Sequence, residues 1–359
     1  MHIFHIVGTR PNFVKAAPVM AALSRHGGIH QTLVHTGQHY DANMSGTFFQ
    51  QLGMPSPDVD LGVGSVSPAQ QVAQIISRLE VVVREHLPDL VLIYGDVNST
   101  MAAAQVCGKL GIRLGHVEAG LRSRDRSMPE EMNRLVADQL SDLLFTPSVD
   151  ADENLCQEGF ASSKIHRVGN VMIDTLVRML PRCDDYKLAD VPDRYILVTL
   201  HRPSNVDDPE CLLDLLNALT ELADEIKLPF LFPVHPRTRQ RIAKLEFDTA
   251  SGGIRFLNPA AYLTFLALQK NAALVLTDSG GVQEETSFLG IPCLTLRDNT
   301  ERPITTTLGT NVVIGSDVPK MRQEALKALS RQPHVPMAIP LWDGHAAERI
   351  ANIIVASVC

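Results

Sequence analysis

Short apolar, β-branched runs recur along the chain, separated by longer stretches whose apolar residues repeat at helical spacing. In the first half they are IFHIV (3–7), QTLVHT (31–36), LVLIYG (90–95), RLGHVE (113–118) and LLFTP (143–147). Runs of this kind, alternating with amphipathic helices, predict a parallel sheet covered by helices. After Gly169-Asn170 the rhythm restarts with ILVTLH (196–201), FLFPVH (230–235), GIRFL (253–257), ALVLTD (273–278), PCLTL (292–296) and NVVIG (311–315), which predicts a second doubly wound α/β domain. The acidic, poorly periodic stretch from Arg182 to Arg194 reads as the entry to that domain, and 343–357 as a terminal helix. The expected organisation is a domain over 1–170, a second over 171–342, and a segment 343–359 that packs back on the first. No repeat of 20–50 residues interrupts it, so solenoids and propellers are excluded.

The unusual residues fall where strands end. In open α/β sheets, ligands bind beyond the carboxyl ends of the strands. Gly8-Thr9-Arg10-Pro11 follows the first predicted strand, Gly95-Asp96 the third, and His116-Val117-Glu118-Ala119-Gly120 closes the fourth. In the second half, His201-Arg202-Pro203, His235-Pro236-Arg237 and Asp278-Ser279-Gly280-Gly281 all end strands. Polar and cationic groups are thus expected to converge on two sheet edges and to build one interdomain site.

Composition narrows the partners. A length of 359 residues suits two domains, and 45% hydrophobic with 20% charged residues belongs to an ordinary globular chain. The net charge of -8 argues against nucleic acid, whose binding needs a basic surface. Six scattered cysteines without a CxxC pair signal neither a metal site nor a disulfide framework. The N-terminus is too short in apolar residues for an export signal and no later run reaches a membrane span, so a cytoplasmic protein without a membrane partner is expected.

LTDSGGVQEETSFLG (276–290) carries the sharpest chemical signal. Ser279-Gly280-Gly281 is expected to open a helix whose free N–H groups bind an anion, the missing Cβ atoms letting a diphosphate approach the backbone. Glu285, one turn on, is placed to accept hydrogen bonds from a ribose diol; the plainer alternative is a solvated Glu284-Glu285 pair. Arg10, Lys15, Arg202 and Arg302 are candidate cations for the phosphates, and His201 and His235 hold matching places after two strands. In the first half, Asp96, Glu118 and Glu130 are candidate proton acceptors, with His116 and Arg134 as neighbours able to set their ionisation. A plain surface pair between Glu130 and Arg134 is equally consistent with the residue types. No GxGxxG follows a strand, and no GxxxxGK[ST], HExxH or GxSxG occurs, so no redox cofactor and no metal is expected. A diphosphate cradle with carboxylates and cations fits elimination or transfer at an anomeric carbon.

These residues resemble the non-hydrolysing UDP-N-acetylglucosamine 2-epimerases, which share the two-domain GT-B fold. The likeness spans GTRPNFVK (8–15), GD (95–96), HVEAGLR (116–122), PEEMNR (129–134), GN (169–170), VTLHR (198–202), PVH (233–235), LTDSGGVQEE (276–285), SFLG (287–290) and RDNTERP (297–303). The resemblance implies that Asp96, Glu118 and Glu130 are catalytic, with Arg134 supporting them and His201 near the reaction centre. It implies that Arg10, Ser279, Gly280, Gly281 and Glu285 hold UDP, that Phe265 lies against the uracil, and that Lys15, Arg202, His235 and Arg302 line the cleft. It further implies a UDP-sugar substrate, anti elimination of UDP to a 2-acetamidoglucal with re-addition, no cofactor, and a homodimer. Hydrolytic release of N-acetylmannosamine, a UDP-diacetamido-uronic acid substrate, a GT-B glycosyltransferase and a non-catalytic UDP-sugar sensor are the alternatives. Asp41 and Gln74 depart from the regulated bacterial members, the one adding an anion and the other lacking a cation, which predicts turnover without an activating second UDP-sugar.

Overall fold

The computed structural model describes residues 1–37, 49, 51–186, 188, 190–249, 252–330 and 338–357; Asp41 lies outside them. The chain forms two compact units, Met1–Arg178 with Pro340–Cys359, and Met179–Ile339. The helix Val171–Cys183 runs through the division between them, whose expected place was its first residue.

In the first unit, the strands among the described residues are β1 (His2–Val7), β2 (His30–His35), β3 (Val59–Asp60), β4 (Leu90–Tyr94), β5 (Leu114–Val117), β6 (Leu143–Thr146) and β7 (Ile165–Arg167). They lie in the order β3-β2-β1-β4-β5-β6-β7, every pair parallel, with Ile3 opposite both Gln31 and Leu90. All five residues of β4 are buried, as a strand covered on both faces requires. The covering helix Pro68–His86 places Gln71, Ile75, Leu79 and Val83 inward at four-residue spacing and ends at Leu87, which takes a left-handed φ of 46°. The last helix, Ala346–Ala356, packs on the first, Arg10–Leu23. Its N-terminus is held by Asp174, whose carboxylate accepts from the amides of Ala346 (3.1 Å) and Ala347 (2.6 Å).

The second unit repeats the plan with β8 (Ile196–Thr199), β9 (Phe230–Pro233), β10 (Ile254–Leu257), β11 (Leu274–Thr277), β12 (Cys293–Thr295) and β13 (Asn311–Val313). The order is β10-β9-β8-β11-β12-β13, again parallel. Ile196, Val198, Leu216, Leu219, Phe230, Phe232, Leu274 and Leu276 share its larger core.

Each sheet reverses its winding once, between β1 and β4 and between β8 and β11. At those points successive helices depart to opposite faces and leave a crevice beyond the strand ends. Gly8–Lys15 and Gly95-Asp96 flank the first crevice; His201-Arg202 and Asp278-Ser279 flank the second. No helix of the described residues is long and apolar enough to cross a membrane.

Candidate functional site

The first crevice is shaped by backbone before any charge is placed. Asn12 accepts the amides of Gly8 (3.0 Å) and Thr9 (3.1 Å) and donates to the Tyr94 carbonyl (2.8 Å), tying the turn after β1 to the end of β4. Gly8 has no alternative, since a Cβ there would overlap Ser99 Oγ. Gly95 has a φ of +61°, and a Cβ on it would stand 2.5 Å from Lys15 Nζ. The bare glycine therefore lets the Lys15 side chain pass beneath the end of β4.

Lys15 reaches Glu118: Nζ lies 2.7 Å from Oε2, and both side chains are buried. The Lys15 ammonium compensates a carboxylate that burial would otherwise penalise heavily. Glu118 is itself in a left-handed conformation, φ 74°, with its amide and that of Ala119 both donated to the Phe145 carbonyl (3.1 and 3.0 Å). A non-glycine residue in that region stores backbone strain, a feature concentrated at functional sites.

One strand over, Asp96 is held by Arg134, whose Nη2 donates to Oδ2 at 2.7 Å. Arg134 Nη1 donates to Glu131 at 2.6 Å, and the guanidinium is buried. The surface-pair alternative for Arg134 thus fails: it forks between two carboxylates inside the protein. Asn133 donates to the Asp96 carbonyl (2.8 Å), fixing the backbone as Arg134 fixes the side chain. Glu130 is half-buried in the first turn of the helix Pro129–Leu140, where the helix dipole favours a carboxylate. Arg10 is exposed at the start of the helix Arg10–Leu23.

His116 does not turn toward these carboxylates. Its Nδ1 meets Asp138 at 2.6 Å and its Nε2 the Gly95 carbonyl at 2.8 Å, all buried. Asp138 also accepts from Arg122 (2.7 Å) and from the Gly120 amide (3.1 Å). Burial opposes ionisation of Asp138, but His116 and Arg122 outweigh it and hold the carboxyl below its ordinary range. Asp138 is thus a hub that fixes the turn carrying Glu118. The reading from sequence passed over Asp138, Glu131, Asn133 and Asn12. A usable signal was there: Glu131, Arg134 and Asp138 stand at i, i+3 and i+7, so three charges share one helix face with buried Ala137.

In the second unit, Ser279 stands at the N-cap position of the helix Gly280–Leu289 without a side-chain capping bond, and Gly280 and Gly281 open its first turn, whose amides can face an anion. Packing alone also disfavours a side chain at Gly280, because a Cβ there would overlap Arg302 Nη1. Arg302 is buried between Glu284 (2.8 Å) and Glu301 (2.8 Å); Arg297 meets Glu301 at 2.8 Å, and Arg202 approaches it at 3.8 Å. These guanidinium groups and carboxylates interlock behind the glycine turn. Asp278 accepts from the amides of His201 (3.0 Å) and Arg202 (2.9 Å) and from Asn205 (3.1 Å), and lies 3.0 Å from His201 Nδ1. Its carboxyl is lowered because these partners overcome its burial. His235 is exposed and accepts the Arg237 amide at 3.3 Å, capping the helix Pro236–Ile242.

Glu285 is not solvated. It is buried, as is Glu284, and accepts from the Tyr262 hydroxyl at 2.8 Å. Burial raises its carboxyl to about 7 against the lowering pull of Tyr262 and Gln269. Tyr262 went unnoticed in sequence; it precedes Phe265 on the helix Tyr262–Lys270, where Phe265 packs half-buried against the core cluster that includes Leu268 and Val282. On the helix Pro68–His86, Gln74 accepts from Arg78 (3.4 Å), while Arg78 is engaged by the Leu61 and Gly62 carbonyls (2.5 and 2.7 Å).

Comparison with known proteins shows the family. A UDP-N-acetylglucosamine 2-epimerase homolog of Methanococcus maripaludis is 43% identical over 336 residues, 91% of this chain and 92% of its own. The UDP-2,3-diacetamido-2,3-dideoxy-D-glucuronate 2-epimerase of Pseudomonas aeruginosa is 41% identical over 356 residues, covering 99% of each. The crystal structure of Methanocaldococcus jannaschii UDP-GlcNAc 2-epimerase in complex with UDP-GlcNAc and UDP matches with a TM-score of 0.91 at 38% identity, covering 99% of this chain and 100% of the other. Residues 21–355 fit the family described as UDP-N-acetylglucosamine 2-epimerase, and with likeness of this extent the chain belongs to that family.

Proposed function

We propose that the chain interconverts UDP-N-acetylglucosamine and UDP-N-acetylmannosamine by anti elimination of UDP and its re-addition, without a cofactor. The C1–O bond breaks with its electron pair leaving on UDP, and the C2 proton passes to a carboxylate, giving 2-acetamidoglucal. A proton then reaches the opposite face of C2 while the UDP oxygen adds back to C1. Because the C2–H of an intact sugar is not acidic, the C1–O bond must run ahead, and the positive charge at C1 needs anions nearby.

The observation that supports this reading most is the pair Asp96 and Glu118 at the ends of adjacent strands, each on a buried cation, Arg134 and Lys15. Charges fixed in this way need no reorganisation as the sugar becomes cationic. In the proposal Asp96, Glu118 and Glu130 are the proton-transferring and charge-stabilising groups, with His201 near the reacting carbon. Ser279, Gly280 and Gly281 receive the diphosphate; Arg10, Arg202, His235 and Arg302 supply its positive surroundings; Phe265 lies on the uracil and Glu285 reads the ribose. The working form is proposed to be a cytoplasmic homodimer, as the family resemblance implies.

The Pseudomonas relative favours a second substrate, a UDP-2,3-diacetamido-2,3-dideoxy-D-glucuronate, for the same chemistry. Presenting each sugar nucleotide separately and following the anomeric proton signals tests the choice. Interconversion of UDP-N-acetylglucosamine with retention of UDP supports the main reading; turnover of the uronate alone overturns it.

A further inference from the structure

Glu131 carries none of the roles proposed above, yet it is among the most fully engaged carboxylates of the first unit. It is 2% exposed. Its Oε2 accepts from the Ser123 amide (2.9 Å), the Ser123 hydroxyl (3.0 Å) and Arg134 Nη1 (2.6 Å), and its Oε1 from the Arg124 amide (2.9 Å). The loop it holds is strained, since Arg124 has a left-handed φ of 59°. Through Arg134, the same carboxylate governs the group that grips Asp96 Oδ2.

We infer that Glu131 is a positioning residue for the reaction: it fixes the Arg134 fork so that the second arm delivers Asp96 in one orientation. A guanidinium is planar, and pinning one terminal nitrogen sets the direction of the other. With Glu131 anchored by two backbone amides and a hydroxyl, the position of the Asp96 carboxylate is referred to the loop at Ser123-Arg124. Asn133, two residues along the same helix, holds the Asp96 carbonyl (2.8 Å), so one helix sets both the backbone and the carboxylate of that residue. This inference rests on the proposed participation of Asp96 in proton transfer or charge stabilisation.

A double-mutant cycle tests it. Glu131→Gln keeps the shape but has one oxygen for donors that now meet two, so Arg134 or the loop loses its acceptor. The expected result is a fall in kcat of roughly 10²-fold, the cost of a misplaced reacting group, with KM and UDP affinity within about threefold of the parent. In the Asp96→Asn background the same substitution should lower kcat by less than about threefold, because the group it positions is already disabled. Unchanged kcat in Glu131→Gln overturns the inference, as does a double variant slower than Asp96→Asn by the full single-variant factor. Near-parental turnover of Asp96→Asn alone instead contradicts the underlying functional reading. Should Glu131→Gln fail to fold, Glu131→Asp, which keeps the anion and withdraws it by one methylene, is held to the same two outcomes.

Discussion

Lys15 Nζ sits 2.7 Å from Glu118 Oε2 with both side chains buried, and a glycine at position 95 is what lets the two meet. Removing one member of a buried ion pair strands the other, at a cost of about 3–5 kcal/mol. Lys15→Met is therefore expected to lower both stability and turnover, while adding Glu118→Gln recovers stability without activity. Thermal unfolding of the single and double variants checks this; a double variant no more stable than Lys15→Met contradicts it.

Gly95→Ala should act on the same pair from the backbone side. The left-handed φ of +61° disfavours any L residue by about 1–2 kcal/mol, and the new methyl stands 2.5 Å from Lys15 Nζ. Reduced thermal stability with a lower kcat is expected. An alanine variant with parental kcat would show that the route of Lys15 to Glu118 has no bearing on turnover.

The strand–helix alternation of the two units was largely legible in the chain because their central strands are apolar runs such as LVLIY, buried throughout, whereas the order of the strands within each sheet was not. The edge strands β3 and β7 were missed: Val59–Asp60 and Ile165–Arg167 have two and three residues and carry polar side chains, too little for a period of two to emerge. The site shows the same division. Glycines and charges at strand ends were visible as types in place, but their partners were not. Arg134 finds Glu131 three residues back and Asp96 thirty-eight residues away, a choice set by helix phase and by the register of β4 against β5. For Glu285 the sequence leaves a ribose acceptor and half of a solvated acidic pair side by side, and only the packing of Tyr262 over it reveals a buried carboxyl.

That burial has a pH signature. Glu285 is raised from 4.5 to about 7 by desolvation, so the folded chain holds this proton longer than the unfolded one. The group's favourable contribution is complete below pH 4.5 and is lost as pH rises through 7, a change of about 3 kcal/mol. Glu285→Gln should accordingly unfold at a higher temperature than the parent at pH 8, with the gap closing toward pH 5. A gap independent of pH removes this account of Glu285.

In the ligand-bound protein the same carboxyl is expected to matter in the opposite sense. Accepting two ribose hydroxyls calls for the ionised form, each such bond being worth roughly 1.5–3 kcal/mol. UDP affinity measured by calorimetry should fall more steeply as pH drops from 8 to 6 in the parent than in Glu285→Gln, where only the protonation of the UDP phosphate at about pH 6 contributes. Equal binding of UDP and 2′,3′-dideoxy-UDP by the parent would show that Glu285 does not read the ribose.

The three carboxylates bear the chemistry in this account. Asp96→Asn, Glu118→Gln and Glu130→Gln should each lower kcat by about 10²–10⁴, with UDP affinity little changed because the proposed UDP contacts of Ser279–Gly281 and Glu285 lie on other elements. Near-normal turnover in all three would remove the assignment.

The central claim, breakage and re-formation of both the C1–O and the C2–H bond with UDP retained, is tested most directly by incubating the protein with UDP-N-acetylglucosamine in D2O and taking proton NMR spectra over time. The account predicts that UDP-N-acetylmannosamine appears, that the C2 proton signal is lost from the nucleotide sugars as deuterium enters, and that UDP stays linked at equilibrium. Accumulation of free N-acetylmannosamine and UDP, or epimerisation that leaves the C2 proton in place, would contradict it.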